Sequence, residues 1–198
     1  MPDSKSIPVI DLFAGPGGLG EGFSAYTLRT QTPFQVALSI EMEAWAHQTL
    51  ELRSFFRKFR NGKVPSAYYD HLRGDISREE LFRRFKDEAE AAAEEAWQAE
   101  LGVTPDQTVD RRIRAALGNT DEWVLCGGPP CQAFSVVGRS RNGGIAEDDH
   151  RVYLYKQYLR ILSVSRADQK FPIRAEQKGT TVGEGKEDKS HDMGAAVA

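Results

Sequence analysis

The sequence predicts an α/β fold with a parallel sheet, and three observations carry that expectation. An apolar run stops at a glycine cluster and gives way to a helical pattern, a second apolar run is followed by another helix, and a third stops at Gly127-Gly128-Pro129. Ile7 to Phe13 is the first run, ending in Ala14-Gly15-Pro16-Gly17-Gly18-Leu19-Gly20, so a buried strand, a tight turn and a helix are expected in that order. Phe34 to Glu41 reads as the second strand. Ala44 to Arg60 reads as a helix, with Trp45, Leu52, Phe55, Phe56 and Phe59 recurring at near-helical spacing. Tyr68 to Ile76 is expected to be a loop closing on a short element, Gly74-Asp75-Ile76. Ser77 is placed to cap a helix whose first turn holds Glu79 and Glu80. That helix is expected to be long, running through Leu81, Phe85, Ala89, Ala92 and Ala96 to Trp97 as a covering or projecting insertion. Asp106 to Leu117 is a further helix stopped by Gly118, Glu122 to Cys126 is the third strand, and Val152 to Leu162 is an aromatic-rich helix. Two regions result: 1–162, carrying a helical insertion at about 77–119, and a polar tail, 163–198, whose composition predicts disorder.

The chain has 198 residues, 40% of them hydrophobic and 28% charged, which is the composition of a globular domain rather than a fibre. Twenty-six Lys and Arg against 29 Asp and Glu leave a formal charge of −3, so any contact with nucleic acid must come from a local patch. Two cysteines, Cys126 and Cys131, five apart and forming no Cys-x-x-Cys pair, exclude a disulfide scaffold and argue against a structural metal site. Met1 to Pro8 carries one Lys and no apolar stretch, and nowhere do 18 apolar residues run together, so no secretory leader and no membrane partner are expected and the expected address is the cytoplasm.

Chemistry is concentrated in two places. Gly15, Gly17 and Gly20 form G-x-G-x-x-G between a strand and a helix, and Glu41 ends the next strand. Glycines let the backbone approach a ligand closely, and an acid at that distance can accept both hydroxyls of a ribose. A nucleoside-containing cofactor is implied, although the same glycines would also serve a plain tight turn. In Gly127-Gly-Pro-Pro-Cys131-Gln132, two prolines lock the backbone before a thiol at the carboxyl end of a strand, the edge where open α/β sheets bind ligands. Cys131 is therefore the candidate nucleophile, and Cys126, inside the strand, reads as a small buried hydrophobe.

These residues resemble the cytosine-5 DNA methyltransferases. Asp11-Leu-Phe13-Ala14-Gly15-Pro-Gly17-Gly18 is similar to the first motif of that family, and Gly128-Pro129-Pro-Cys131-Gln132-Ala-Phe-Ser135 to its catalytic motif. Between them Glu41 matches the ribose-binding acid, with Met42 where an adenine-stacking aromatic is common, and Gly74-Asp75-Ile76 matches the element whose Asp meets the adenine amine. Asp149-His150-Arg151 followed by Leu154 resembles the end of the mobile catalytic loop and the leucine beside the cofactor. Five elements in order make the likeness specific.

The resemblance implies a Rossmann-like S-adenosylmethionine-dependent methyltransferase fold with an incomplete sheet. It implies a flipped cytosine in duplex DNA, attack of the Cys131 thiolate on C6, and methyl transfer to C5. It implies cofactor contacts from Asp11, Phe13, Ala14, Gly15, Gly17, Gly18, Leu19, Glu41, Met42, Asp75, Ile76, Pro129 and Leu154, and DNA contacts from Gln132, Ser135, Arg139, Arg141 and Arg151, the arginines also being compatible with a plain solvated loop. The likeness covers about 7–162. The Glu-Asn-Val motif that follows in the family has no counterpart, since the sequence contains no Glu-Asn pair, and the chain is expected to be a truncated N-terminal part of the catalytic domain. Two alternatives accompany the enzyme. One is a cofactor-binding remnant, or half of a split enzyme completed by a complementary chain; the other, against which Pro-Pro-Cys-Gln argues, is a dinucleotide-dependent oxidoreductase.

Overall fold

The computed structural model describes residues 6–28, 31–59, 63–129 and 153–167. Within them, β1 (Ile7–Leu12), β2 (Phe34–Glu41), β3 (Ala96–Gln98) and β4 (Val124–Gly127) form an all-parallel sheet in the order β3-β2-β1-β4. The helices are α1 (Gly18–Ala25), α2 (Ala44–Arg57), α3 (Ser66–Arg73), α4 (Arg78–Arg84), α5 (Lys86–Glu95), α6 (Asp106–Leu117) and α7 (Leu154–Ala167). This is the mixed α/β, Rossmann-like arrangement that the alternation of apolar runs and helices predicts.

Two clusters divide the core. Ile10 and Leu12 of β1 join Leu38 and Ile40 of β2, Val109 and Ile113 of α6 and Ile161 of α7, all of them buried. The opposite face of β1 meets α1: a Cβ placed on Gly20 would lie 3.4 Å from Val36 and 3.7 Å from Asp11. A register shift makes this possible, because Val9 pairs with Val36 but Ile10 with Leu38, leaving Ala37 as the extra residue. The second cluster lies among the helices, where Phe55 of α2 is fully buried against Ala67 and Tyr68 of α3, Leu81 of α4 and Ala92 of α5. Phe55 has its ring centroid 5.1 Å from Phe59 and 5.0 Å from Phe82. An ion network ties the ends of three helices together. Arg57 pairs with Glu21 of α1 and with Glu95 of α5 at 2.5 Å, and Lys58 reaches the same Glu95 at 2.6 Å.

β1, β2 and α6 take the limits read from the sequence, except that Phe13 leaves β1 for the turn; β4 begins two residues late, and Ser77 caps α4 by accepting the N–H of Glu80 at 3.1 Å. Four expectations are corrected. The segment expected as a loop at 68–76 holds most of α3, which starts behind Pro65 and stops at Gly74 in the left-handed conformation, φ 84°. The single long helix is broken at Phe85 (φ −129°, ψ 65°), whose ring packs on Phe59 and Phe55. Ala96 and Trp97 are then not helical at all: they begin β3, paired with Ser39 and Ile40 of β2. The stretch expected as an insertion at 77–119 therefore supplies a strand of the sheet and, through α6, part of its core. Finally, α7 continues to Ala167, past the change of composition at Ser163. The rest of the expected polar tail lies outside the described residues.

Candidate functional site

The strand order places a topological switch beside β1. From β1 the chain moves outward through β2 to β3, then returns to the other side of β1 for β4. In open α/β sheets the crevice at the carboxyl ends of such strands is where ligands bind. A cleft of about 490 Å³, mouth included, opens at that edge. Phe13, Ile40, Met42, Leu101 and Leu154 make its apolar walls, Glu41 and Glu100 supply carboxylates, and Ala99 and Gly128 also line it.

Each side chain owes its place to a strand end. Phe13 follows β1 with φ 55°, a left-handed backbone that a bulky residue adopts only where its surroundings hold it there. The next residue secures the turn, since the Ala14 N–H donates to the Ile40 carbonyl at 3.0 Å. Gly15 and Gly17 have φ of 57° and 91°, and Gly17 begins α1 with its Cα against Leu50: a Cβ there would lie 2.8 Å from Leu50 Cδ1. Glu41 ends β2, mostly buried, and its carboxylate accepts the N–H of Gly15 and the N–H of Glu43, each at 2.7 Å. The glycine turn and the acid are thus one unit. Ala99 follows β3 and donates its N–H to the Glu41 carbonyl at 3.0 Å, which brings Glu100 to the same edge.

Of the residues singled out in the sequence, Phe13, Glu41, Met42 and Leu154 line the cleft. Ala14 and Gly15 are not in its lining but are tied to it through their N–H groups, on the Ile40 carbonyl and the Glu41 carboxylate; Gly17 stands at the start of α1 against Leu50, and Pro129, half-buried, follows Gly128. Gly18 and Leu19 belong instead to an exposed apolar groove with Phe23, Tyr26 and Phe34. Asp11 lies beneath the site, fully buried, with neither carboxylate oxygen in a hydrogen bond of ordinary geometry. Burial pushes its carboxyl above the usual range, against the opposing pull of the Cys126 thiol and the Gly20 N–H that face it. Cys126 pairs with Asp11 in register across β1 and β4, and burial together with that neighbour raises its thiol to about 12. A thiol so held is not a nucleophile at neutral pH.

Asp75 and Ile76 are not at the cleft. Asp75 is exposed at the end of α3 and paired with Arg73 at 3.1 Å, while Ile76 packs against the aromatic cluster around Phe55. The residues at the end of the neighbouring strand are Ala99-Glu100-Leu101, which repeat the small, acidic, aliphatic order of Gly74-Asp75-Ile76. That repetition was the available signal, and the helical reading of 96–97 concealed it. Cys131, Gln132, Ser135, Arg139, Arg141 and Arg151 lie outside the described residues. Among the described residues no group of three or more His, Cys, Asp or Glu side chains is arranged to hold a metal ion, and no helix is long and apolar enough to cross a membrane.

The donor set suits an adenosyl group. A ribose diol and an aromatic amine both donate, and carboxylates from two strand ends line a cleft with apolar walls. Comparison with known proteins gives the following similarities. Residues 83–168 match the model of the C-5 cytosine-specific DNA methylases. The chain is 32% identical over 171 residues to the type II methyltransferase M.Bpa9945I of Bacillus paralicheniformis, an alignment covering 78% of this chain and 37% of that one. It is 27% identical over 174 residues to the type II methyltransferase M.XorII of Xanthomonas oryzae pv. oryzae, covering 88% and 29%. A third similarity, 25% over 161 residues, is to the type II methyltransferase M1.HphI of Haemophilus parahaemolyticus, covering 81% and 30%. The chain thus spans about a third of the length of the curated relatives it matches. No solved structure matches it significantly.

Proposed function

We propose that this chain is a member of the C-5 cytosine-specific DNA methylases, which its similarity to their model and to type II methyltransferases supports, that its cleft holds S-adenosylmethionine, and that it serves methylation of a cytosine in duplex DNA, in the cytoplasm, as part of a type II restriction-modification pair. The observation that carries the cofactor half is the fixed Glu41 carboxylate, tied to the glycine turn at Gly15 and lining the same cleft as Glu100 from the next strand end. Bound there, the cofactor supplies an electrophilic methyl group on a sulfonium. Glu41 accepts from the ribose hydroxyls, Glu100 from the adenine amine, and Phe13, Met42, Leu101 and Leu154 exclude water around the ring. Gly15 and Gly17 let the backbone come close, while Pro129 and Gly128 close the side toward β4.

For the DNA half the support is the sequence of the catalytic motif. Cys131, as thiolate, adds to C6 of a cytosine turned out of the stack, which makes C5 nucleophilic. Gln132 and Ser135 contact the base or the gap it leaves, and Arg139, Arg141 and Arg151 meet phosphates. The test is to incubate the chain and a Cys131→Ala variant with tritiated S-adenosylmethionine and duplex DNA while cofactor binding is followed by calorimetry. Cys131-dependent label on the DNA is the expected result. Cofactor binding without label moves the conclusion to a cofactor-binding module that works with a complementary chain, and absence of binding overturns the reading.

A further inference from the structure

The cofactor cleft does not end at Glu100. A second cleft of about 540 Å³, mouth included, lies behind it and shares Glu100 and Leu154 with the first; its other walls are Gly102, Val103, Tyr153 and Gln157. A tight turn forms one wall: the N–H groups of Val103 and Thr104 both reach the Glu100 carbonyl, at 3.2 and 2.8 Å. Gly102 sits in this turn with φ 94°, and a Cβ there would lie 3.6 Å from Leu154 Cδ2 and 3.9 Å from Gln157 Cγ, so its missing side chain keeps the space between turn and α7 open. Tyr153, half-exposed, carries the Lys156 ammonium 4.5 Å from its ring centroid, which fixes one aromatic wall. Among the described residues of this lining, Glu100 is the charged one.

We propose that this second cleft is a subsite for a neutral substituent on the exocyclic nitrogen of adenine, so that the protein binds N6-alkyl and N6-benzyl adenosyl ligands. The inference rests on the cofactor reading above. An adenine whose amine donates to Glu100 directs that nitrogen at the wall common to both clefts. A mono-substituted amine keeps one N–H for the carboxylate and sends its substituent past Glu100 toward Val103 and Tyr153. A neutral aromatic group suits an apolar and aromatic lining, whereas an anionic one meets the Glu100 carboxylate.

The experiment compares S-adenosylhomocysteine with its N6-benzyl derivative by calorimetry, on the full chain and on a Gln157→Trp variant that fills the subsite from α7. The benzyl ligand is expected to bind within tenfold of the parent ligand, and Gln157→Trp to lower the ratio of benzyl to parent affinity by tenfold or more. Parent binding with the benzyl ligand more than tenfold weaker overturns the subsite and leaves the cofactor reading standing, as does a ratio that Gln157→Trp leaves unchanged. If neither ligand binds the unaltered chain, the cofactor reading fails and the subsite with it.

Discussion

Gly127→Ala isolates the contact on which the junction of β1 and β4 depends. Gly127 is the last residue of β4, paired in register with Leu12, and its φ of 132° lies where side chains are rarely found. A Cβ built there falls on the Leu12 carbonyl oxygen and lies 2.8 and 2.9 Å from the Leu12 carbonyl carbon and nitrogen. Ordinary approaches of carbon to backbone oxygen begin near about 3.3 Å, and the atoms met are backbone of a fully buried strand residue, so no side chain can swing aside. The strands must part at their carboxyl ends. Loss of the last rungs removes about 1 kcal/mol per hydrogen bond, and the positive φ adds about 1–2 kcal/mol, giving roughly 4 kcal/mol in all. For a chain of this size whose whole stability is on the order of 10 kcal/mol, that lowers Tm by about 12 °C. Gly128→Ala, with nothing within 4 Å of its Cβ, should leave Tm within about 1 °C. Gly15→Ala, with φ 57° and equally open space, should fall between them. Thermal unfolding followed by circular dichroism measures all three. Equal melting temperatures for Gly127→Ala and Gly128→Ala would refute the geometric argument.

Asp11→Asn should melt above the unaltered chain at pH 7. Its carboxyl, raised from 3.8 by burial, adds stability only while protonated, fully below about pH 4 and lost as pH rises through the folded value; the gap between the two melting curves must therefore shrink on acidification, and a constant gap refutes the assignment. The Cys126 thiol, at about 12, should have on the order of one part in ten thousand as thiolate at pH 8, so iodoacetamide should leave it unmodified in the folded chain and alkylate it in guanidinium, as peptide mapping by mass spectrometry will show. Glu100→Gln should weaken S-adenosylhomocysteine binding about tenfold, near 1.4 kcal/mol, whereas Asp75→Asn should leave it unchanged; the reverse order would return the adenine contact to the end of α3.

What the sequence disclosed and what it hid differ in the forces that decide them. β2 was legible to the residue because Phe34 to Glu41 is a short, largely apolar run that ends at an acid, the pattern of a buried parallel strand. Ser77 and Gly118 marked helix ends by local chemistry that needs no partner. β3 was hidden because Ala96-Trp97-Gln98 follows an Ala- and Glu-rich helix and contains no β-branched residue. Its strand state comes from pairing with Ser39, Ile40 and Glu41, and from the His47 ring nitrogen 3.0 Å from the Ala96 carbonyl. The break at Phe85 is likewise made by rings from α2, distant in sequence. The bulge at Ala37 and the demand for glycine at 127 exist only between strands, so no single segment announces them.

The misplaced acid shows what a short motif lacks. Gly74-Asp75-Ile76 and Ala99-Glu100-Leu101 are equivalent as strings, and only topology separates them. Parallel strands finish at a common edge, so an acid just beyond β3 comes beside the acid that ends β2, and the Ala99 N–H to Glu41 carbonyl bond fixes that neighbourhood at 3.0 Å. A ligand that reaches across two strand ends can then engage both carboxylates together. Asp75 ends a helix instead, in solvent, with Arg73 against it. An exposed acid with its own cation has neither the convergence nor the dry surroundings that make a carboxylate selective for one donor. The physical content of the motif is thus a strand end next to another strand end, and the spelling matters only once that position is established.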